Sequence, residues 1–218
     1  MFFRILTLLF LLSAIPLFAD DKIPDISKMP YEELENNGVD YLLAKKFDLA
    51  QKCFDEMLKR ETSKKNPDPE ELLAIYFGLG RVFQDKKDIP KAIEYFEKAL
   101  SYANEKNSDL RILADLYNFT GAAYGVLKQY KKALPIARLS VEYADRSYGK
   151  NAPVTAVYMM GYALALRDNK EPEKALSLLK KAYEILEKYH GKNERATQRM
   201  AKLLSEWQKG NFDAQLTP

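Results

Sequence analysis

Small and large apolar residues recur along this chain in one spaced pattern, four times after residue 30, with charged residues filling the positions between. The second copy runs Gly80, Phe83, Ala92, Phe96, Ala99, at intervals of 3, 9, 4 and 3. The first copy, Gly38, Tyr41, Ala50, Phe54, Met57, keeps those intervals, as does the third, Gly121, Tyr124, Ala133, Ala137, Ser140. The fourth reads Gly161, Leu164, Ala175, Leu179, Ala182, which places two extra residues in its turn. Intervals of 3 and 4 set side chains on one helical face. The interval of 9 is too long for one face and holds turn signals, such as Asp88 before Pro90 and, in the fourth copy, Pro172. Each copy is therefore predicted to fold as helix, short turn, helix. Gly and Ala let the two backbones approach, and large residues one turn on fill the gap.

The same reading divides the chain. Helices are expected from Pro30, then over about 47–61, 70–86, 89–106, 109–128, 130–147, 153–168 and 172–189. A polar connector, TSKKNPDPEE, separates the second helix from the third. Residues 193–209 form a ninth amphipathic helix with Met200, Leu203, Leu204 and Trp207 on one face, read as the cap that covers the last apolar surface of an array. Gly210 ends it, and residues 211–218 are a tail. Residues 20–29 are expected to be an extended lead-in, and residues 30–210 the array.

Gly, an aromatic, Ala, Phe and Ala at these offsets resemble the tetratricopeptide repeat, over residues 31–190. The repeats fall at about 31–64, 73–107, 114–148 and 154–190. The glycines are 42, 41 and 40 residues apart, longer than 34. That period, the Ala133-Leu134-Pro135 run, and the recurrence of Tyr148-Gly149-Lys150-Asn151 as His190-Gly191-Lys192-Asn193 are similar to the kinesin light chain type of repeat. The resemblance implies an all-α fold, an α-solenoid of about four helix pairs with a C-terminal capping helix, that binds a protein or peptide in its concave groove. In such repeats the first helix of each pair lines the groove. Counting from each Gly, the expected groove residues are Phe77, Arg81, Asn118, Phe119, Tyr158, Met159 and Tyr162. Packing inside the array is the competing role for the aromatic ones. Cochaperones of this family clamp a carboxylate with Lys, Asn and Arg; the matching places here hold Glu35, Val39, Gly78, Asp115 and Phe119, so that function is not expected.

Composition narrows the rest. Residues 1–19 read as a secretory signal peptide: Arg4, an apolar run from Leu6 to Leu12, and Ala19 ahead of two acids. No Cys stands directly behind that run, which excludes a lipoprotein anchor, and no second apolar span follows. Periplasmic residence is the expectation, secretion the alternative. A net charge of +3 with 30% charged residues is a solvated surface and no nucleic-acid footprint. Lys131-Lys132 reads as part of that solvated surface. Cys53 is the single cysteine and His190 the single histidine, so neither a disulfide, an ordinary zinc site nor a Cys/His pair is expected, and no phosphate loop or nucleophile elbow occurs. No enzyme activity, cofactor or metal is expected. The predicted function is an exported scaffold binding a protein or peptide in a cell-envelope complex, as a monomer. The alternatives are a small-ligand-binding accessory of a solute transport system and self-association through the ends of the array.

Overall fold

The structure is a computed structural model that describes residues 25–213. The signal peptide expected over 1–19, residues 20–24 of the lead-in and residues 214–218 of the tail lie outside the described residues. The described residues form nine α-helices and no strand: α1 Tyr31–Leu43, α2 Phe47–Thr62, α3 Pro69–Asp85, α4 Ile89–Tyr102, α5 Leu110–Val126, α6 Tyr130–Tyr148, α7 Pro153–Asp168, α8 Pro172–His190 and α9 Arg195–Gln208. They are antiparallel pairs of the α-solenoid class, as expected. Two compact units divide them, one ending at Tyr102 and one beginning at Ala103.

In the first unit α1 pairs with α2 and α3 with α4, and α2 packs on α3. Its core joins Leu34, Tyr41, Ala50, Cys53, Phe54, Met57, Ile75, Leu79 and Val82. Large and small residues are matched across each pair. A Cβ added at Gly38 would come within 3.1 Å of the Phe54 ring, and one at Gly80 would overlap the Phe96 ring. Aromatic rings fill the flanks: Phe83 stacks on Tyr95 at 5.3 Å and Tyr76 on Tyr102 at 5.8 Å. Cys53 is fully buried, and burial pushes its thiol up to about 11, so it acts as a small apolar side chain.

The lead-in departs from its expected extended form. Residues Ile26–Lys28 make one 3-10 turn, with Ile26 and Met29 buried in the first core. The Arg60 guanidinium fixes it, donating to the carbonyls of Met29 (2.7 Å) and Ser27 (2.9 Å). Two buried apolar side chains and a two-carbonyl anchor outweigh the freedom of a short polar stretch.

In the second unit α5 pairs with α6 and α7 with α8; α6 packs on α7, α5 touches α7, and α9 packs on α8. Met200, Leu203, Leu204 and Trp207 close the core of α7 and α8, in the capping role expected of this helix. The cap begins at Arg195, not 193, because the Glu194 carboxylate accepts from the amides of Ala196 (2.7 Å) and Thr197 (3.1 Å). The tail starts structured: Phe212 lies 5.7 Å from Trp207, and Arg167 donates to its carbonyl. Helix α4 stops at Tyr102, short of 106, because Asn104 and Ser108 close a turn on each other, the Ser108 hydroxyl accepting from the Asn104 amide at 3.0 Å.

Each turn within a pair is built the same way. Lys45, Lys87, Lys128 and Lys170 all have positive φ, between 57° and 69°. After each, the next amide donates back five residues: Lys46 to Tyr41, Asp88 to Phe83, Gln129 to Tyr124 and Glu171 to Leu166, at 2.8–2.9 Å. This is the Schellman closure, here with Lys where Gly is usual.

Candidate partner-binding face

The turn closures reset the register of the fourth repeat. The five-residue bond ends on Tyr41, Phe83 and Tyr124, the aromatic positions of the pattern, and in the fourth repeat on Leu166. Leu166 is 9 residues before Ala175, the interval of the other copies, and Ala163 is 3 before Leu166. Both are buried in the second core, whereas Leu164 is half-buried. The fourth turn therefore carries no extra residues. Ala163 and Leu166 hold the places that Gly161 and Leu164 were expected to hold. The sequence alone misleads because a Gly happens to stand two residues early. Ala is tolerated there because its partner across the pair is also smaller: Leu179 stands where Phe96 stands in the second repeat.

With the register set, the first helices of the second unit each show two stripes. On α5 the core takes Leu113, Ala114, Leu116, Thr120, Gly121, Ala123 and Tyr124, leaving Asn118 and Ala122 one turn apart on the other side. On α7 the core takes Thr155, Ala156, Tyr158, Met159, Ala163 and Leu166, leaving Val157, Met160, Gly161 and Leu164 at spacings of 3, 1 and 3. Gly161 joins the two stripes, since a Cβ there would come within 2.7 Å of the Asn118 side-chain oxygen. Gly at this point lets α5 and α7 meet at Asn118. Ala122 and Val157 are exposed, Val157 to 38%, and Met160 and Leu164 are half-buried against the core behind them. The result is an apolar surface with one amide at its centre.

The seven expected groove residues fall in different places. Phe77 is buried, its ring 6.1 Å from that of Phe96. Met159 is buried in the second core. Tyr158 is 5% exposed and donates its hydroxyl to Asp115 at 2.8 Å; burial, then the Asp115 charge, raises its pKa. These three lack the surface to anchor a partner. Arg81, Asn118, Phe119 and Tyr162 are half-buried, and Tyr162 rests on the second core. Asn118, Phe119 and Tyr162 belong to one unit; Arg81 belongs to the other. Val157, Met160 and Leu164 escaped the sequence reading because the count began from Gly161. The constant separation of 83 residues between Lys45 and Lys128, and between Lys87 and Lys170, is the signal that would have found them.

Chemistry beyond contact is sparse among the described residues. No group of three His, Cys, Asp or Glu side chains comes together to hold a metal ion. No described helix is long and apolar enough to cross a membrane. Two half-buried carboxylates, Glu35 and Glu71, have raised pKa values, with burial as the main cause in each and a neighbouring acid adding to it. Tyr31 donates to Glu71 at 2.9 Å.

Known proteins of similar sequence or fold agree with this architecture. No curated protein sequence matches the chain significantly. Among solved structures, BtubC (BKLC) from P. vanneervenii aligns at a TM-score of 0.69 with 18% identity, covering 84% of this chain and 74% of its own. The apo form of RapI aligns at 0.68 with 19% identity, covering 88% of this chain and 70% of its own. YrrB, described as a tetratricopeptide repeat protein with an unusual peptide-binding site, aligns at 0.56 with 20% identity over 84% and 79%. At these identities the likeness is one of fold. The tetratricopeptide repeat family model matches residues 32–105 and 112–188, together well over half the chain. Spaced pattern, helix pairs and model agree: the chain belongs to the tetratricopeptide repeat family.

Proposed function

We propose that this chain is an exported, non-catalytic scaffold that binds a protein or peptide partner on the α5–α7 face. The observation that carries the reading is the face itself. Helices that only meet water carry charge on the outer side, whereas Ala122, Val157, Met160 and Leu164 present apolar surface around the Asn118 amide. Apolar patches with a central polar group suit an extended or helical peptide, whose side chains fill the surface while one backbone group pairs with the amide. Repeat arrays use their first helices in this way, and the structural neighbour YrrB is itself described as peptide-binding. Asn118, Phe119, Met160, Leu164 and Val157 form the contact set, with Arg81 a separate contact in the first unit; Tyr162, about 200° round α7 from Met160 and Leu164, stays with the core it rests on.

Export is part of the proposal, motivated by the charge, apolar run and small residue of positions 1–19. A cell-envelope complex in the periplasm fits that segment, with secretion as the alternative destination. Capture from the protein's own cells by crosslinking and mass spectrometry tests the binding reading. Val157→Asp is the control, because Val157 is exposed and its replacement leaves the core intact. The expected result is one partner enriched with the wild type and lost with the variant. Equal recovery with both would remove the face from consideration.

A further inference from the structure

The two compact units repeat each other at an offset of 83 residues, so each position of the first has a counterpart in the second. At the edge where the paired helices turn, the first unit neutralises its own charge. Lys86 reaches from the α3–α4 turn to Asp48 on α2, at 2.7 Å, and donates to Gln51 at 2.9 Å. In the second unit Lys131 stands at the place of Asp48, Asn169 at that of Lys86, and Leu134 at that of Gln51. The bridge has become a lysine facing an amide. Lys132 stands at the place of Leu49 and adds another cation.

This edge borders an open cleft of about 570 Å³, lined by Lys128, Lys131, Lys132 and Lys170 together with Tyr130, Asn169 and the acidic Asp168. The nearby carboxylates are already engaged. Asp168 accepts from Arg167 at 2.6 Å and Glu171 from Lys174 at 2.5 Å. No described carboxylate lies within ion-pair distance of any of the four lysines. Lys132 instead lies 5.2 Å from the Tyr124 ring. Lys128 and Lys170 start from backbone fixed by the turn closures, which limits the ordering cost when they bind.

We propose that this cleft docks an acidic peptide segment of a partner protein. Four ammonium groups with no carboxylate partner among the described residues, set around an open cleft, complement a run of Asp and Glu side chains. A flat anionic membrane would meet the lysines of a projecting surface better than those of a cleft. A nucleic acid would need a longer basic track, and the lining of this cleft already includes the acidic Asp168. The cleft lies at the helix turns and shares none of the contact residues of the α5–α7 face, so the two proposals stand or fall separately.

Fluorescence anisotropy of the purified chain with a labelled Asp- and Glu-rich peptide tests it. The key variant is Lys131→Asp/Asn169→Lys, which rebuilds the ion pair of the first unit inside the second. Lys46→Asp makes a charge reversal at the other turn edge, and a thermal melt of each variant checks folding. The expected result is saturable binding that weakens with salt and falls about tenfold or more in the double variant, with Lys46→Asp and Val157→Asp near wild type. No binding to the wild type would overturn the proposal. So would equal losses in Lys46→Asp, which would mean net charge alone, and so would anionic-lipid vesicle binding without peptide binding.

Discussion

The Tyr158 hydroxyl donates to the Asp115 carboxylate at 2.8 Å, tying α7 to α5 from within. A residue first read as a groove anchor is thereby a structural one. Removing the hydroxyl with Tyr158→Phe is expected to cost about 1.5–3 kcal/mol, the range for a hydrogen bond to a charged group. Tyr158→Ala also vacates a buried ring and is expected to cost about 3–5 kcal/mol. Urea unfolding of both variants measures this. The raised Tyr158 pKa adds a pH signature. In the unfolded chain the phenol ionises at its ordinary value, while the fold holds it neutral, so this contribution is whole below about pH 10 and lost as pH rises further.

Lysine in the left-handed region is strained in a way glycine is not. Lys45→Gly and Lys87→Gly are each expected to stabilise the chain by about 0.5–1 kcal/mol, the relief of the Cβ clash exceeding the added freedom of the unfolded state. The reverse holds where helices α6 and α8 end. Gly149 and Gly191 have φ of 92° and 77° with extended ψ, a region nearly closed to other residues. Gly149→Ala is expected to cost about 1–3 kcal/mol. Thermal melts with opposite signs for the two pairs are the check.

Size matching across the helix pairs predicts a rescue. Gly80→Ala drives a methyl into the Phe96 ring and is expected to cost about 1–3 kcal/mol. Gly80→Ala/Phe96→Leu recreates the Ala163 and Leu179 combination of the fourth repeat and is expected to recover most of that loss. A double-mutant cycle by denaturant unfolding reads the coupling. Gly125→Ala, with nothing from another helix within 4 Å of the new methyl, should stabilise α5 slightly.

Burial raises the pKa of Glu71 and of Glu35, so their surroundings favour the protonated forms. Their raised folded-state pKa values mean that this pair opposes folding at neutral pH. The penalty is relieved as pH falls through those values toward the ordinary carboxylate range. Glu71→Gln, which keeps an acceptor for Tyr31, is expected to raise the melting temperature at pH 7 and to lose that advantage in mild acid.

The helices and their pairing were legible because spacing of small and large residues is a local code that packing must obey. Ala50, Phe54, Ala92 and Phe96 are each 0–5% exposed, where the pattern places them. The face was less legible. Counting outward from a glycine works only where glycine marks the crossing, and in the fourth repeat Ala163 marks it instead. Burial of Phe77, Tyr158 and Met159 depends on neighbours from other helices, which no single-helix pattern contains. The fold of residues 25–29 turned on Arg60, a long-range contact with no local signal.

The proposed binding face is tested most directly by a photo-crosslinking amino acid placed singly at Val157, Ala122, Glu142 or Lys180 in the full-length protein in its own cells. Val157 and Ala122 lie on the α5–α7 face, whereas Glu142 and Lys180 are exposed on α6 and α8. The account predicts one common crosslinked protein from the first two sites and none of it from the others. The same product from all four sites, or none from Val157 and Ala122, would contradict it.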